Sequence, residues 1–123
     1  MDELAADPAH GGRIRPNSLL ERDVAIGLET TGQVPAKVTR DPTGQADFID
    51  GLGQRWDVKG FVSGQLPRMG YFDLMRDAGK VDKSLAQGEY VMLDTRRMNQ
   101  VDVQALQSVG ASRGWGQRVK WWP

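Results

Sequence analysis

The run "EYVMLDT", residues 89–95, most constrains what this chain can fold into. Tyr90, Val91, Met92 and Leu93 are apolar without the alternation of a half-exposed strand, so the run reads as a strand covered on both faces. Such a strand belongs in the middle of a sheet, between layers of helix. Three flanking segments have the periodicity to supply those layers. "PNSLLERDVAIGLETTG" repeats Leu20, Val24 and Leu28 every four positions, stops at Gly32, and offers Asn17 and Ser18 as N-caps. Leu74, Ala78, Val81 and Leu85 share a helical face, with Gly79 weakening it. "QVDVQALQSVGASRG" sets Val103, Leu106 and Gly110 on one side of a third helix.

The remaining segments read as strands and turns. "QVPAKVTRD" alternates Val34, Ala36 and Val38, with Pro35 near the start or at a sheet edge. "PTGQ" is a turn. "ADFID" and "QRWDVKGFV" flank "GLGQ" as a hairpin, and "QRVKWWP" is a short last strand or extended tail. The expected fold is α/β (α+β), with a mixed central sheet, the order α-β-β-β-α-β-α-β and helices on both faces. It forms a single domain over 17–123. Residues 1–16, rich in Ala, Gly, Pro and Asp without periodicity, are expected to be a disordered tether or cut end.

Composition removes several chemistries. The 123 residues include no cysteine, so disulfides, thiolate metal sites and a cysteine nucleophile are excluded. His10 is the only histidine, which excludes a multi-histidine zinc site. No apolar run is long enough to span a membrane, and "MDELAADPAH" lacks the basic and apolar regions of a secretory leader. Sixteen basic residues balance sixteen acidic ones, so the surface as a whole is no polyanion clamp. The distribution is uneven, however. No acid follows Asp102, while Arg113, Arg118 and Lys120 interleave with Trp115, Trp121 and Trp122. These cations, with Arg96 and Arg97 after the central strand, are candidate phosphate contacts. The simpler alternative is that two of the tryptophans cover the sheet and the cations are solvated. Lys80 and Lys83, on the second helix, read as solvated. "GLGQ" lacks the lysine of a phosphate-binding loop.

The polar residues of "QADFIDGLGQRWDVKGF" stand inside what otherwise looks like core. Strand alternation puts Asp57 and Lys59 on one face and Trp56 and Val58 on the other. A carboxylate beside an ammonium suits phosphodiester hydrolysis. The acid holds a hard divalent cation, and the lysine orients or deprotonates water or opposes charge on the phosphate. Asp47 supplies a second carboxylate if its strand pairs with that of Asp57, with Asp50 as the fallback. An acid-any-lysine triplet arises by chance roughly once per 100–150 residues, so alone it is more simply a solvated strand face.

The order of elements and the spacing of Asp47, Asp57 and Lys59 resemble the PD-(D/E)xK, or restriction-endonuclease-like, nuclease superfamily. Its core is a helix, a three-stranded meander, a helix and a strand, with an acid on the second strand and (D/E)xK on the third. The resemblance covers about residues 18–94. Ala46 stands where a proline often precedes the first acid, and Gly60-Phe61 where serine or proline often follows the lysine. A glutamate common on the first helix matches Glu21, with Glu29 as its competitor.

The resemblance implies a metal-dependent endonuclease. Asp47, Asp57 and the Val58 carbonyl would hold a divalent ion, Mg²⁺ first and Mn²⁺ or Zn²⁺ as alternatives. Glu21 would bind metal through water or hold a second ion, and Lys59 would activate water or stabilise the transition state. The substrate would be DNA, or tRNA in the alternative. Small size, absent cysteines and the N-terminal composition look like the C-terminal nuclease domains of bacterial polymorphic toxins, of which contact-dependent growth inhibition toxins are one group. That likeness implies delivery from a larger secreted or cell-surface protein, action in the target-cell cytoplasm, and a monomer blocked by a cognate immunity protein. A different reading is a non-catalytic module presenting Arg and Trp to nucleic acid or protein, which clustered carboxylates would not help.

Overall fold

Val91, Met92 and Leu93 are completely buried, as a doubly covered strand requires. The computed structural model describes residues 6–7, 13–14, 16–64 and 70–123. In chain order its elements are β1 (Ala6–Asp7), β2 (Arg13–Ile14), α1 (Pro16–Thr30), β3 (Thr39–Arg40), β4 (Phe48–Ile49), β5 (Arg55–Gly60), α2 (Leu74–Ala86), β6 (Tyr90–Asp94), α3 (Gln100–Arg113) and β7 (Val119–Trp122), with one 3-10 turn at Gly116–Arg118. β1 and β2 pair antiparallel with each other in a separate two-stranded sheet. The segment expected as a tether, 1–16, thus holds this short pairing. The rest of residues 1–15, His10 included, lies outside the described residues.

The main sheet has five strands in the order β3-β4-β5-β6-β7. β3, β4 and β5 form an antiparallel meander, and β6 and β7 follow parallel to β5 through α2 and α3. The fold is therefore mixed α/β, three helices on one mixed sheet, with the order α-β-β-β-α-β-α-β from α1 onward.

Each face of the sheet has its own core. Val24, Ala25 and Leu28 of α1 pack with Phe48, Trp56 and Met92. Ala78 and Val81 of α2 and Leu106 of α3 pack with Val91 and Leu93 on the other side. Burial of such apolar area is the main drive to this arrangement. Asp73 caps α2 by accepting from the Arg76 N–H, Asn99 caps α3 by accepting from the Asp102 N–H, and Gly114 ends α3 in the left-handed conformation. The tryptophans follow the simpler alternative. Trp115 is core, Trp121 packs beside it, and Trp122 packs against the α1 side.

Two expectations need correction. The strand expected across 33–41 is reduced to Thr39–Arg40. Val34 and Val38 are buried as the alternation required, but in an ordered connection. Pro35 has no N–H for a ladder, its carbonyl accepts from Gly51 N–H, and the backbone of Ala36 presses on Gly51. Glu29 Oε2 accepts from the Val38 N–H at 2.6 Å, taking another ladder donor. The second correction is at α1, which starts at Pro16, so Asn17 and Ser18 fall within its first turn rather than at the cap.

Candidate functional site

β4 is two residues long while β5 is six, and the site forms where β5 outruns its neighbour. The register pairs Phe48 with Trp56, and Asp47, the residue before β4, reaches Asp57 through its side chain. The Asp47 N–H donates to the Trp56 carbonyl at 3.0 Å. Its side chain turns back onto β5, where Oδ2 accepts from the Val58 N–H at 2.8 Å. Asp57 and Lys59 share a face as alternation predicts. Lys59 Nζ donates to Asp57 Oδ2 at 2.8 Å, and Ser84 Oγ of α2 donates to the same oxygen at 3.1 Å. Trp56 and Val58 belong to the core on the α1 side.

Glu21 comes to this point from α1. Its Oε1 accepts from Arg40 Nη1 at 2.8 Å, and that nitrogen is 3.9 Å from Asp47 Oδ1. Arg40 is buried, with its guanidinium 4.4 Å from the centre of the Phe48 ring and Nη2 donating to the Ser18 carbonyl at 3.3 Å. Three carboxyl groups thus face two cations at close range. Burial, then the Glu21 charge, then a hydrogen bond with Asp57 push the Asp47 carboxyl up to about 8, against the Val58 N–H that favours the anion. Asp47 therefore holds a proton at neutral pH unless another cation arrives.

Two carboxylates are a sparse ligand set. Among the described residues no three His, Cys, Asp or Glu side chains are grouped so as to hold a metal ion. Asp47 and Asp57 nevertheless fit Mg²⁺, which keeps several waters and takes one or two protein carboxylates. Zn²⁺, which prefers nitrogen and sulfur, finds neither here. Glu21, ion-paired with Arg40, stands beside this pair.

The competing acids have structural work. Asp50 Oδ1 accepts from the N–H groups of Leu52 and Gln54, and its Oδ2 accepts from Trp56 Nε1 at 2.8 Å, so it holds the β4–β5 turn. Glu29 anchors Val38, away from Asp47.

The five candidate phosphate contacts separate. Arg97 lines a cleft of about 200 Å³ together with Glu21, Val58, Gly60 and Asp94. Arg96 lies between elements. It donates to Asp94 at 2.9 and 2.8 Å, to Asp23 at 3.2 Å and to the Leu20 carbonyl at 3.1 Å, and it covers the Trp122 ring. Arg113 pairs with Asp82, and Arg118 donates to the carbonyls of Gly114 and Trp115 at the end of α3. Lys120 bonds Gln117 and borders a separate hollow with Asp50, Trp56 and Tyr90. Arg40 and Ser84 were missed from sequence. Parity carried a signal for Arg40, which lies two residues after buried Val38 and so on the same face. Nothing local marked Ser84.

Comparison with known proteins gives no further identification: the chain matches no family model, no curated protein and no solved structure.

Proposed function

We propose that this chain is a divalent-metal-dependent endonuclease with a restriction-endonuclease-like core. The observation that carries the proposal is the Asp47 carboxyl, just before β4, hydrogen-bonded to the Val58 N–H and to Asp57 on β5, with Lys59 2.8 Å from Asp57 on the same face. The order α-β-β-β-α-β supports the likeness in fold. Asp47 and Asp57 would hold the ion, with the Val58 carbonyl as a third ligand. Mg²⁺ bound there supplies Lewis acidity to a phosphate oxygen and to the attacking water.

The protein groups have separate tasks. Asp57 holds Lys59 in place, and Ser84 fixes the Asp57 carboxylate from behind. Lys59 then orients the attacking water and opposes charge gathering on the phosphate. Asp47, whose carboxyl is pushed up by burial and by Glu21, would give up its proton to hold a divalent cation there. Glu21 and Arg40 fix the approach of α1 to the site and hold charge near Asp47.

DNA is the proposed substrate and tRNA the alternative for the same site. The setting inside a larger bacterial toxin, with a cognate immunity protein, is proposed on the sequence resemblance alone. The test incubates the purified domain, with and without Mg²⁺, with supercoiled plasmid and separately with total tRNA. Wild-type protein should nick plasmid only with metal, and Lys59→Ala should lower the rate by about 10²–10⁴-fold. Discrete tRNA fragments beside intact plasmid would move the substrate to RNA. Equal cleavage by Lys59→Ala would remove the assigned chemistry. No cleavage of either polymer would favour a non-catalytic binding module.

A further inference from the structure

Lys59 is the floor of a groove whose wall is α2. On one side of Lys59, a hollow of about 280 Å³ is bordered by Arg76 and Lys80. On the other side, a hollow of about 350 Å³ is bordered by Asp57, Lys80, Lys83 and Ser84. The two hollows share Lys59 and Lys80, so they adjoin across these two side chains beside the Asp57–Lys59 pair, and together they make the groove along α2. Arg76, Lys80 and Lys83 lie four and then three residues apart, one face of a helix. At 1.5 Å per residue they span about 10 Å, close to the rise of three base pairs along a duplex axis.

The charge along this groove is in surplus. Asp77, fully buried, accepts from Arg76 at 3.1 Å and lies 3.4 Å from Lys80, so one acid serves two cations. Lys83 is exposed and has no acidic partner among the described residues. Glu89 also borders the groove, so four cations, Lys59, Arg76, Lys80 and Lys83, face three acids, Asp57, Asp77 and Glu89. The C-terminal basic residues lack this position: Arg113 and Arg118 are tied to Asp82 and to the end of α3, and Lys120 borders a different hollow.

We infer that the groove along α2 seats the phosphodiester backbone of a nucleic acid, with Lys80 and Lys83 on neighbouring phosphates and Lys59 at the phosphate to be cut. The identity of the cut phosphate rests on the nuclease proposal, whereas the binding track does not. Lys80 and Lys83 are exposed, so changing them leaves the cores intact.

The test measures binding without Mg²⁺, where no cleavage occurs. A short fluorescein-labelled DNA duplex and labelled tRNA are titrated in separate arms, at several salt concentrations. Lys80→Gln with Lys83→Gln should weaken binding roughly tenfold at low salt and reduce the magnitude of the salt slope by about two, near one for each phosphate no longer neutralised. Lys120→Gln should leave both unchanged. The arm with the greater weakening identifies the polymer. Unchanged affinity and slope in the double variant would overturn the inference, as would absence of binding by wild type in both arms. If the double variant fails to bind but wild type never cuts with Mg²⁺, the track stands and the nuclease proposal falls.

Discussion

Arg40 shows how much one side chain decides at this site. Its guanidinium is almost sealed from solvent, with side-chain exposure of 5%, and its partner Glu21 is 21% exposed. Removing one member of such a pair leaves a partly buried charge without compensation. Arg40→Met should therefore destabilise the fold by about 2–3 kcal/mol, below the fully buried limit because Glu21 keeps some water. Adding Glu21→Gln should recover part of that loss, and the double-mutant cycle by chemical denaturation measures the coupling. Strict additivity would mean that the pair contributes nothing. Such a residue is hard to read from sequence. Asp57 and Lys59 were legible because two residues along one strand fix their relation through alternation. Arg40 meets Glu21 across nineteen positions, and Arg96 meets Asp23 across seventy-three. The sequence shows a cation in each case, but only the fold supplies its partner.

Among the elements, α1 and β7 approach most closely where glycine permits it. A Cβ on Gly27 would lie 2.0 Å from Trp122 Nε1, inside any real contact. Alanine would gain up to about 1 kcal/mol of helix propensity, while overpacking costs about 1–3 kcal/mol. The clash should win, because the Trp122 ring is also held by Arg96, 4.7 Å from the ring centre, and by the core. Gly27→Ala should lower the thermal midpoint and shift tryptophan emission toward that of a wetter ring. A midpoint at or above wild type would contradict the contact. This contact was not visible in advance, since a glycine inside a periodic helix reads only as a local weakness. The elements themselves were more legible. α2 has a helical period, α3 clear caps and β6 an unbroken apolar run, and all three appear where the sequence placed them. The first strand was overextended because the alternation picked out buried Val34 and Val38 but neither the exposed Ala36 nor whether the backbone joins a ladder. Pro35 and the crossing at Gly51 decided that.

At the scale of the whole molecule, the site joins two cores that share only the sheet. Glu21 comes from a helix packed on one face, Ser84 from a helix packed on the other, Asp57 and Lys59 from the strand between, and Asp47 from the residue before β4. Charge at the site is therefore linked to the stability of the entire fold. Asp47 sits at about 8 in the folded chain, against an ordinary carboxylate value of 3.8. Below about pH 4 both states hold the proton and the favourable effect is complete. Between 4 and 8 the unfolded chain ionises while the folded chain keeps its proton, so stability falls as pH rises. Asp77 acts in the opposite sense: burial alone would raise it, but the Arg76 hydrogen bond and neighbouring cations hold it low, so its contribution is lost only on acidification. The metal-free protein should therefore unfold at a lower temperature at pH 8 than at pH 5, and Asp47→Asn should flatten that decline. Mg²⁺ competes with the proton for the same carboxylate, so its stabilising effect should be larger at pH 8 than at pH 5. At a hundred times its dissociation constant the ion adds about 2.7 kcal/mol, several degrees in a domain this size. Thermal scans of wild type and Asp47→Asn at the two pH values, with EDTA or Mg²⁺, measure all of these together. A wild-type midpoint that does not fall from pH 5 to pH 8, or one that falls equally in Asp47→Asn, would show that Asp47 is not the strained acid. A Mg²⁺ shift that survives in Asp47→Asn would place the ion somewhere other than between β4 and β5.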